Sequence, residues 1–292
     1  MKPIIFVCGH RKGGTSMFHN LFDGHSEVSV YPVDLNVLYG YFPQFTKGNL
    51  SPSRLKDRLN KVVFRDMENN PMLDGYIKLE QFKQFFFDRV HSKNLSDIGK
   101  VVTGLLETYA EVHYPERNFQ YHLFKETSIE LYAQELAECF PNSRFLHLIR
   151  DPRDNFAAIS SGIDIKYKNY GDSKNSLLFS VINRALYGFK MAKINEQVLG
   201  AEKYRIVRFE DLATNPKNVM LDVCKWLDLP YENCLITPSI FGNLNQGNNF
   251  EQEKFGGISS INVGRWKDRI DEADAALIEL LFKEDMQQFG YE

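Results

Sequence analysis

Residues 3–16 read Pro3-Ile4-Ile5-Phe6-Val7-Cys8-Gly9-His10-Arg11-Lys12-Gly13-Gly14-Thr15-Ser16. The run from Pro3 to Cys8 is continuously apolar, the pattern of a strand buried on both faces. A glycine-rich turn follows directly, and helical spacing then runs through Met17, Leu21 and Phe22 to a stop at Asp23-Gly24. This is strand, glycine turn, helix. Such a turn aims backbone N–H groups at one point, which suits a phosphate. Against the triphosphate-binding pattern GxxxxGK[ST], Gly9 and Gly14 have the right spacing, but Thr15 occupies the lysine position and the cation is Lys12, inside the loop. That shift fits a ligand less charged than a triphosphate. The plain alternative is an ordinary βα turn; Arg11 beside Lys12, with Thr15 and Ser16 at the helix start, favours the anion site.

Working outward, Val28–Tyr31 is a second short strand. From 121 onward apolar strands alternate with helices: strand-like 121–126 (YHLFKE), helical Ile129–Phe140, strand 145–150 (FLHLIR), a helix from about Arg153 to Ser161 with Pro152 in its first turn, a helix near 175–198, strand 204–209 (YRIVRF), helical Pro216–Leu227, and a last helix near 273–288. Between 36 and 120 an aromatic-rich stretch (VLYGYFPQF) precedes helical patterns near 53–64, 81–91 and 99–114. The pattern predicts one α/β domain over 1–292: a P-loop-like three-layer fold, its mostly parallel sheet flanked by helices, with a mostly helical insertion at about 36–120. Residues 242–263, polar and rich in Gly and Asn, read as a long loop of the kind that is usually functional.

Composition narrows the function. The 35 basic and 38 acidic residues leave a net charge of −3, which argues against a general nucleic-acid binder. The four cysteines (Cys8, Cys139, Cys224, Cys234) form no CxxC pair, so neither a zinc site nor a disulfide framework is expected, and a cytoplasmic protein without a metal is the simplest reading. The N-terminal apolar run is too short for a signal peptide, and no window is long enough for a membrane span.

Two further segments carry charge at strand ends. In Phe145-Leu146-His147-Leu148-Ile149-Arg150-Asp151-Pro152-Arg153-Asp154, Arg150 stands where open α/β sheets bind ligands, and its fork suits either a second phosphate or a pairing with Asp151 or Asp154 that braces the turn; Arg153 reads more as that brace. The other is Val207-Arg208-Phe209-Glu210-Asp211-Leu212, followed by Asn215-Pro216. In this order, and with Gly264-Arg265-Trp266 behind them, the segments resemble the sulfotransferase family that uses PAPS (3′-phosphoadenosine 5′-phosphosulfate). The flavour is closer to the carbohydrate and tyrosylprotein branches. The matching blocks are 3–34, 121–161, 204–229 and 259–266.

The resemblance implies that Arg11, Lys12, Gly13, Gly14, Thr15 and Ser16 cradle the 5′-phosphosulfate and that Arg150 holds the 3′-phosphate. The family places a serine eight residues after this arginine; here that position is Ala158, with Ser160 or Ser161 as substitutes. Lys254 and Arg265 are candidates for the basic residues of a loop that closes over the nucleotide. Family members need no metal. Lys12 is expected to stabilise the leaving phosphate. The expected general base is Asp34: carbohydrate sulfotransferases carry a Glu 22 residues after the loop lysine, and Lys12 plus 22 is Asp34. Its other reading is a cap on a helix beginning near Leu35. Lys125 and Glu126, in an imperfect match to an EKTP-like segment, are the next candidates near the acceptor. None of the seven histidines stands out as a base. The acceptor is a small molecule or a saccharide, and Tyr39, Tyr41, Phe42 and Phe45 either line its pocket or belong to the core of the insertion. Rival functions are a P-loop kinase using ATP and Mg²⁺, disfavoured by Thr15, and a nucleotide-binding protein without catalysis.

Overall fold

A computed structural model describes residues 2–41, 51–162, 174–247 and 253–291. In chain order the elements are β1 (Ile4–Gly9), α1 (Thr15–Asn20), β2 (Val28–Asp34), α2 (Leu38–Tyr41), α3 (Pro52–Leu59), α4 (Arg65–Glu68), α5 (Leu79–Arg89), α6 (Ile98–His113), β3 (Tyr121–Lys125), α7 (Ala133–Cys139), β4 (Arg144–Ile149), α8 (Pro152–Ser160), α9 (Lys174–Leu199), β5 (Tyr204–Arg208), α10 (Phe209–Thr214), α11 (Pro216–Leu227), the hairpin β6 (Ser239–Ile240) and β7 (Asn243–Leu244), and α12 (Glu272–Phe289). A π-helical stretch, Asn60–Phe64, joins α3 to α4.

Strands β1 to β5 form one parallel sheet in the order β2-β3-β1-β4-β5. β1 lies at its centre and every residue of it is buried, as its unbroken apolar run requires. Alternation divides it between two cores: Ile4, Phe6 and Cys8 face the insertion helices, while Ile5 and Val7 face α1 and α11. Phe6 stacks on Phe145 at 4.6 Å and meets Phe124 edge-on at 5.0 Å. Each such fully buried side chain is worth roughly 1.5–3 kcal/mol. The insertion helices cover one face with Phe64, Phe82, Phe86, Leu105 and Tyr109, and α1 with α11 covers the other with Phe18, Phe22, Met220 and Val223. A third cluster joins α8, α9 and α12 through Phe156, Ile182, Phe189, Ile278 and Phe282.

The chain leaves β1 for the edge strand β2, returns through β3, then crosses β1 to reach β4 and β5. The crevice at the carboxyl ends of β1 and β4 is therefore the point where the connections diverge, the position at which open α/β sheets take ligands. The turn after β1 and the turn after β4 both open there.

One local expectation is corrected. No helix begins near Leu35; β2 runs on to Asp34 and α2 starts only at Leu38, so Asp34 caps nothing. Its carboxylate instead pairs with Lys125, its direct partner in the β2–β3 register.

Candidate functional site: an anion cradle at the carboxyl end of the sheet

The glycine turn is built by close approach. Gly9 has φ +139°, and a Cβ there would lie 2.3 Å from the carbonyl oxygen of Leu148 on β4. Gly14 has φ +94°, and a Cβ there would lie 2.5 Å from the ring of Phe209. Only glycine fits either position. Between them Lys12 adopts φ +59°, and the Gly13 amide donates to the His10 carbonyl at 2.9 Å.

Arg150 emerges directly from β4. Its Nη1 donates to the Lys12 carbonyl and its Nη2 to the Asn262 carbonyl, each at 2.8 Å, while its guanidinium lies 4.5 Å over the Phe209 ring. Burial disfavours its charge, and the carboxylates of Asp154, Glu210 and Asp151 counter that. Its Nε is buried with no hydrogen-bond partner among the described residues. Arg153 is the brace the sequence suggested: it pairs with Asp151 at 2.7 Å and Glu279 at 2.6 Å and stacks 4.3 Å from Trp266. Asp151 caps α8 by accepting the Arg153 amide at 2.8 Å, and its own N–H donates to Glu210 at 2.9 Å. This ties the Glu210 segment to the Arg150 segment.

An open cleft lies over this turn, lined by Lys12, Gly14, Thr15, Ser16 and Arg150 and by Asn245, Phe255, Gly257, Ser259 and Asn262. The Gly- and Asn-rich loop is thus one wall of the cleft. Ala158 and Ser161 also line it, whereas Ser160 does not: its hydroxyl donates back to the Phe156 carbonyl at 2.8 Å, one turn down its own helix. Arg265 lies outside the lining, held by Glu253 at 2.7 Å and 2.8 Å, and exposed Lys254 is likewise outside it. The loop cation that does line the cleft is Arg269, which sequence reasoning missed. Its only cue was a second arginine one helical turn beyond Gly264-Arg265-Trp266.

Asp34 and Lys125 sit side by side at the carboxyl ends of β2 and β3, the same end of the sheet as the turn, though outside the cleft lining. Glu126, the next residue, is wholly buried; burial, and then the neighbouring Asp34 carboxylate, push its carboxyl well above the usual carboxylate range. His147 lies in the core with Nδ1 2.7 Å from the Tyr204 hydroxyl, and burial pushes it, His19 and His122 down to about 4. Tyr41 donates its hydroxyl to the Leu95 carbonyl at 2.7 Å and packs on the insertion core. Phe42, Phe45 and the side chain of Tyr39 lie outside the described residues. Among the described residues no group of His, Cys, Asp and Glu side chains is placed to hold a metal ion.

A parallel α/β sheet with a glycine turn at its switch point defines a P-loop-like fold. A profile of the sulfotransferase family matches residues 3–233, and the chain belongs to that family of enzymes. No curated protein sequence matches it. Among solved structures, it is similar to the sulfotransferase domain from the curacin biosynthetic pathway (17% identity, 100% of this chain and 99% of that one, TM-score 0.63). It is also similar to the sulfotransferase domain of the Synechococcus PCC 7002 olefin synthase (18%, 99% and 95%, TM-score 0.69). A third match is mouse sulfotransferase SULT7A1, solved with PAP (9%, 98% and 85%, TM-score 0.52). At these identities the structures speak for the fold.

Proposed function

We propose that the chain transfers the sulfuryl group of PAPS to an acceptor hydroxyl on a small molecule or a saccharide. The observation that carries this is the cleft lining: Lys12, Arg150 and Arg269 line one cleft together with Thr15, Ser16, Ser161 and Ser259. Three cations and a set of hydroxyls suit a nucleotide bearing separate anionic groups. The orphaned Nε of Arg150 is a donor such a ligand would satisfy. Arg11 to Ser16 would hold the phosphosulfate end and Arg150, with Ser161, the second phosphate.

When bound, PAPS supplies the sulfuryl group and a phosphate leaving group. Asp34 takes the proton from the acceptor hydroxyl as its oxygen bonds to sulfur. The electron pair of the breaking S–O bond goes to the bridging phosphate oxygen, and Lys12 meets the charge that grows there. Lys125 holds the Asp34 carboxylate and adds a cation near the acceptor. Glu126 is the poorer candidate, since it is wholly buried and burial pushes its carboxyl upward. The unpaired state of all four cysteines supports a cytoplasmic location.

Thermal shift with adenosine 3′,5′-bisphosphate (PAP) against ATP–Mg²⁺ tests the donor. At 100 times its dissociation constant, PAP stabilises by about 2.7 kcal/mol. Stabilisation by ATP–Mg²⁺ alone rejects the reading in favour of a kinase. A transfer screen with labelled PAPS over saccharides, tyrosyl peptides and phenols then identifies the acceptor.

A further inference from the structure

The two walls of the cleft are far apart in the chain, one at residues 9–16 and the other ending near 269. Both are tied to a single helical turn. Asp154 accepts the Gly264 amide on Oδ2 at 2.7 Å and the Trp266 amide on Oδ1 at 2.8 Å. The next residue, Asn155, donates Nδ2 to the Arg11 carbonyl at 2.9 Å. Arg150 repeats the pattern four residues earlier, with one bond to Lys12 and one to Asn262. Asp154 is 1% exposed and Asn155 2%.

Helix capping does not account for this arrangement. The cap of α8 is Asp151, whereas Asp154 places both oxygens on a segment 110 residues later in the chain. A buried carboxylate is tolerated only when hydrogen-bonded, and burial does push Asp154 upward while Arg150 and the two amides oppose it. The Gly264–Trp266 segment lies between Asn262, whose carbonyl holds Arg150, and Arg269, which lines the cleft.

The geometry points to Asp154 as a positioning residue for the donor: it anchors Gly264–Trp266 so that Asn262 stays on Arg150 and Arg269 stays in the cleft, while Asn155 keeps the glycine turn in step with that wall. This rests on the donor reading above. The helix turn thereby couples the two walls, and releasing the far wall weakens donor binding without touching the reacting atoms.

The test compares wild type with Asp154→Ala and Asp154→Asn in PAP affinity by calorimetry, in the KM–kcat split for PAPS, and in amide hydrogen exchange over residues 264–266. Asp154→Ala is expected to raise the PAP Kd and PAPS KM about tenfold, the scale of a lost charged hydrogen bond. Its kcat should stay within about threefold of wild type, exchange at 264–266 should quicken, and Asp154→Asn, which keeps one acceptor oxygen, should be intermediate. Unchanged PAP affinity in Asp154→Ala overturns the inference, as does a fall in kcat with KM unmoved. Should the alanine variant not fold, Asp154→Asn decides by the same readouts. Wild type is measured first: no PAP binding there rejects the donor reading itself and this inference with it, whereas binding in wild type that Asp154→Ala retains in full rejects the inference alone.

Discussion

The donor side and the acceptor side of this site are built differently. On the donor side, backbone geometry does most of the work. Gly9 and Gly14 sit where any side chain would collide with Leu148 or Phe209, and Arg150, Asp154 and Asn155 pin the turn and the distant loop through main-chain groups. On the acceptor side, the group proposed to act is a single ion pair, Asp34–Lys125, beneath an insertion that is otherwise packed core. A cradle made of backbone tolerates little sequence change, so it can be read from residue types. A base needs only one carboxylate at the right end of a strand, and many sequences could supply it. The difference also means that the two sides should fail separately.

The largest expected effect breaks the acceptor side alone. Asp34→Asn keeps an oxygen for Lys125 but cannot take a proton, so turnover should fall roughly 10²–10⁴-fold, with PAP binding unchanged and a lowered melting temperature from the lost charge opposite buried Lys125. Near-normal turnover would move the base elsewhere and dissolve the contrast between the two sides. Next comes Lys12→Ala, where the sides meet. Its kcat should fall by about 10²-fold, the scale of one preorganised donor. A rise in the PAPS KM at constant kcat would make Lys12 a ground-state contact only.

The smallest effect sharpens the donor side. Ser161→Ala should raise the PAPS KM by about threefold to tenfold, whereas Ser160→Ala, at a residue outside the cleft lining, should leave it unmoved, although both hydroxyls donate back to carbonyls of their own helix. Equal KM values for the two variants would mean that the 3′-phosphate is held without either serine.

Much of the fold was legible because its signals are local. The buried run of β1, the turn after it, Pro152 at the start of α8 and the apolar faces of α9 and α11 all follow from neighbours within a few residues. The helices at 79–89 and 98–113 were placed within two residues for the same reason, whereas the pattern at 53–64 runs across α3 and the π-helical stretch and stops before α4. The misses arose where a local rule met a distant partner. The alternative reading of Asp34 as a helix cap failed, since β2 extends to Asp34 and its carboxylate pairs with Lys125 on the neighbouring strand. Ser160 and Ser161 are adjacent in sequence, and only the phase of α8 against the cleft separates them. Arg265 was the plausible loop cation until Glu253 claimed it, leaving Arg269 in the lining.

By itself, the sequence determined the strand–glycine turn–helix unit, the alternation that requires a parallel α/β sheet, and the cations flanking the turn. Those features depend on steric limits and periodicities that act within one element. Only the tertiary structure decided the strand order β2-β3-β1-β4-β5, the joining of Asp34 to Lys125, and the choice of Asp154 as the tie between residues 9–16 and 264–266. Hydrogen bonds and ion pairs between residues so distant in sequence carry no periodic trace in the chain, because either partner can be supplied by any residue that folding brings within about 3 Å.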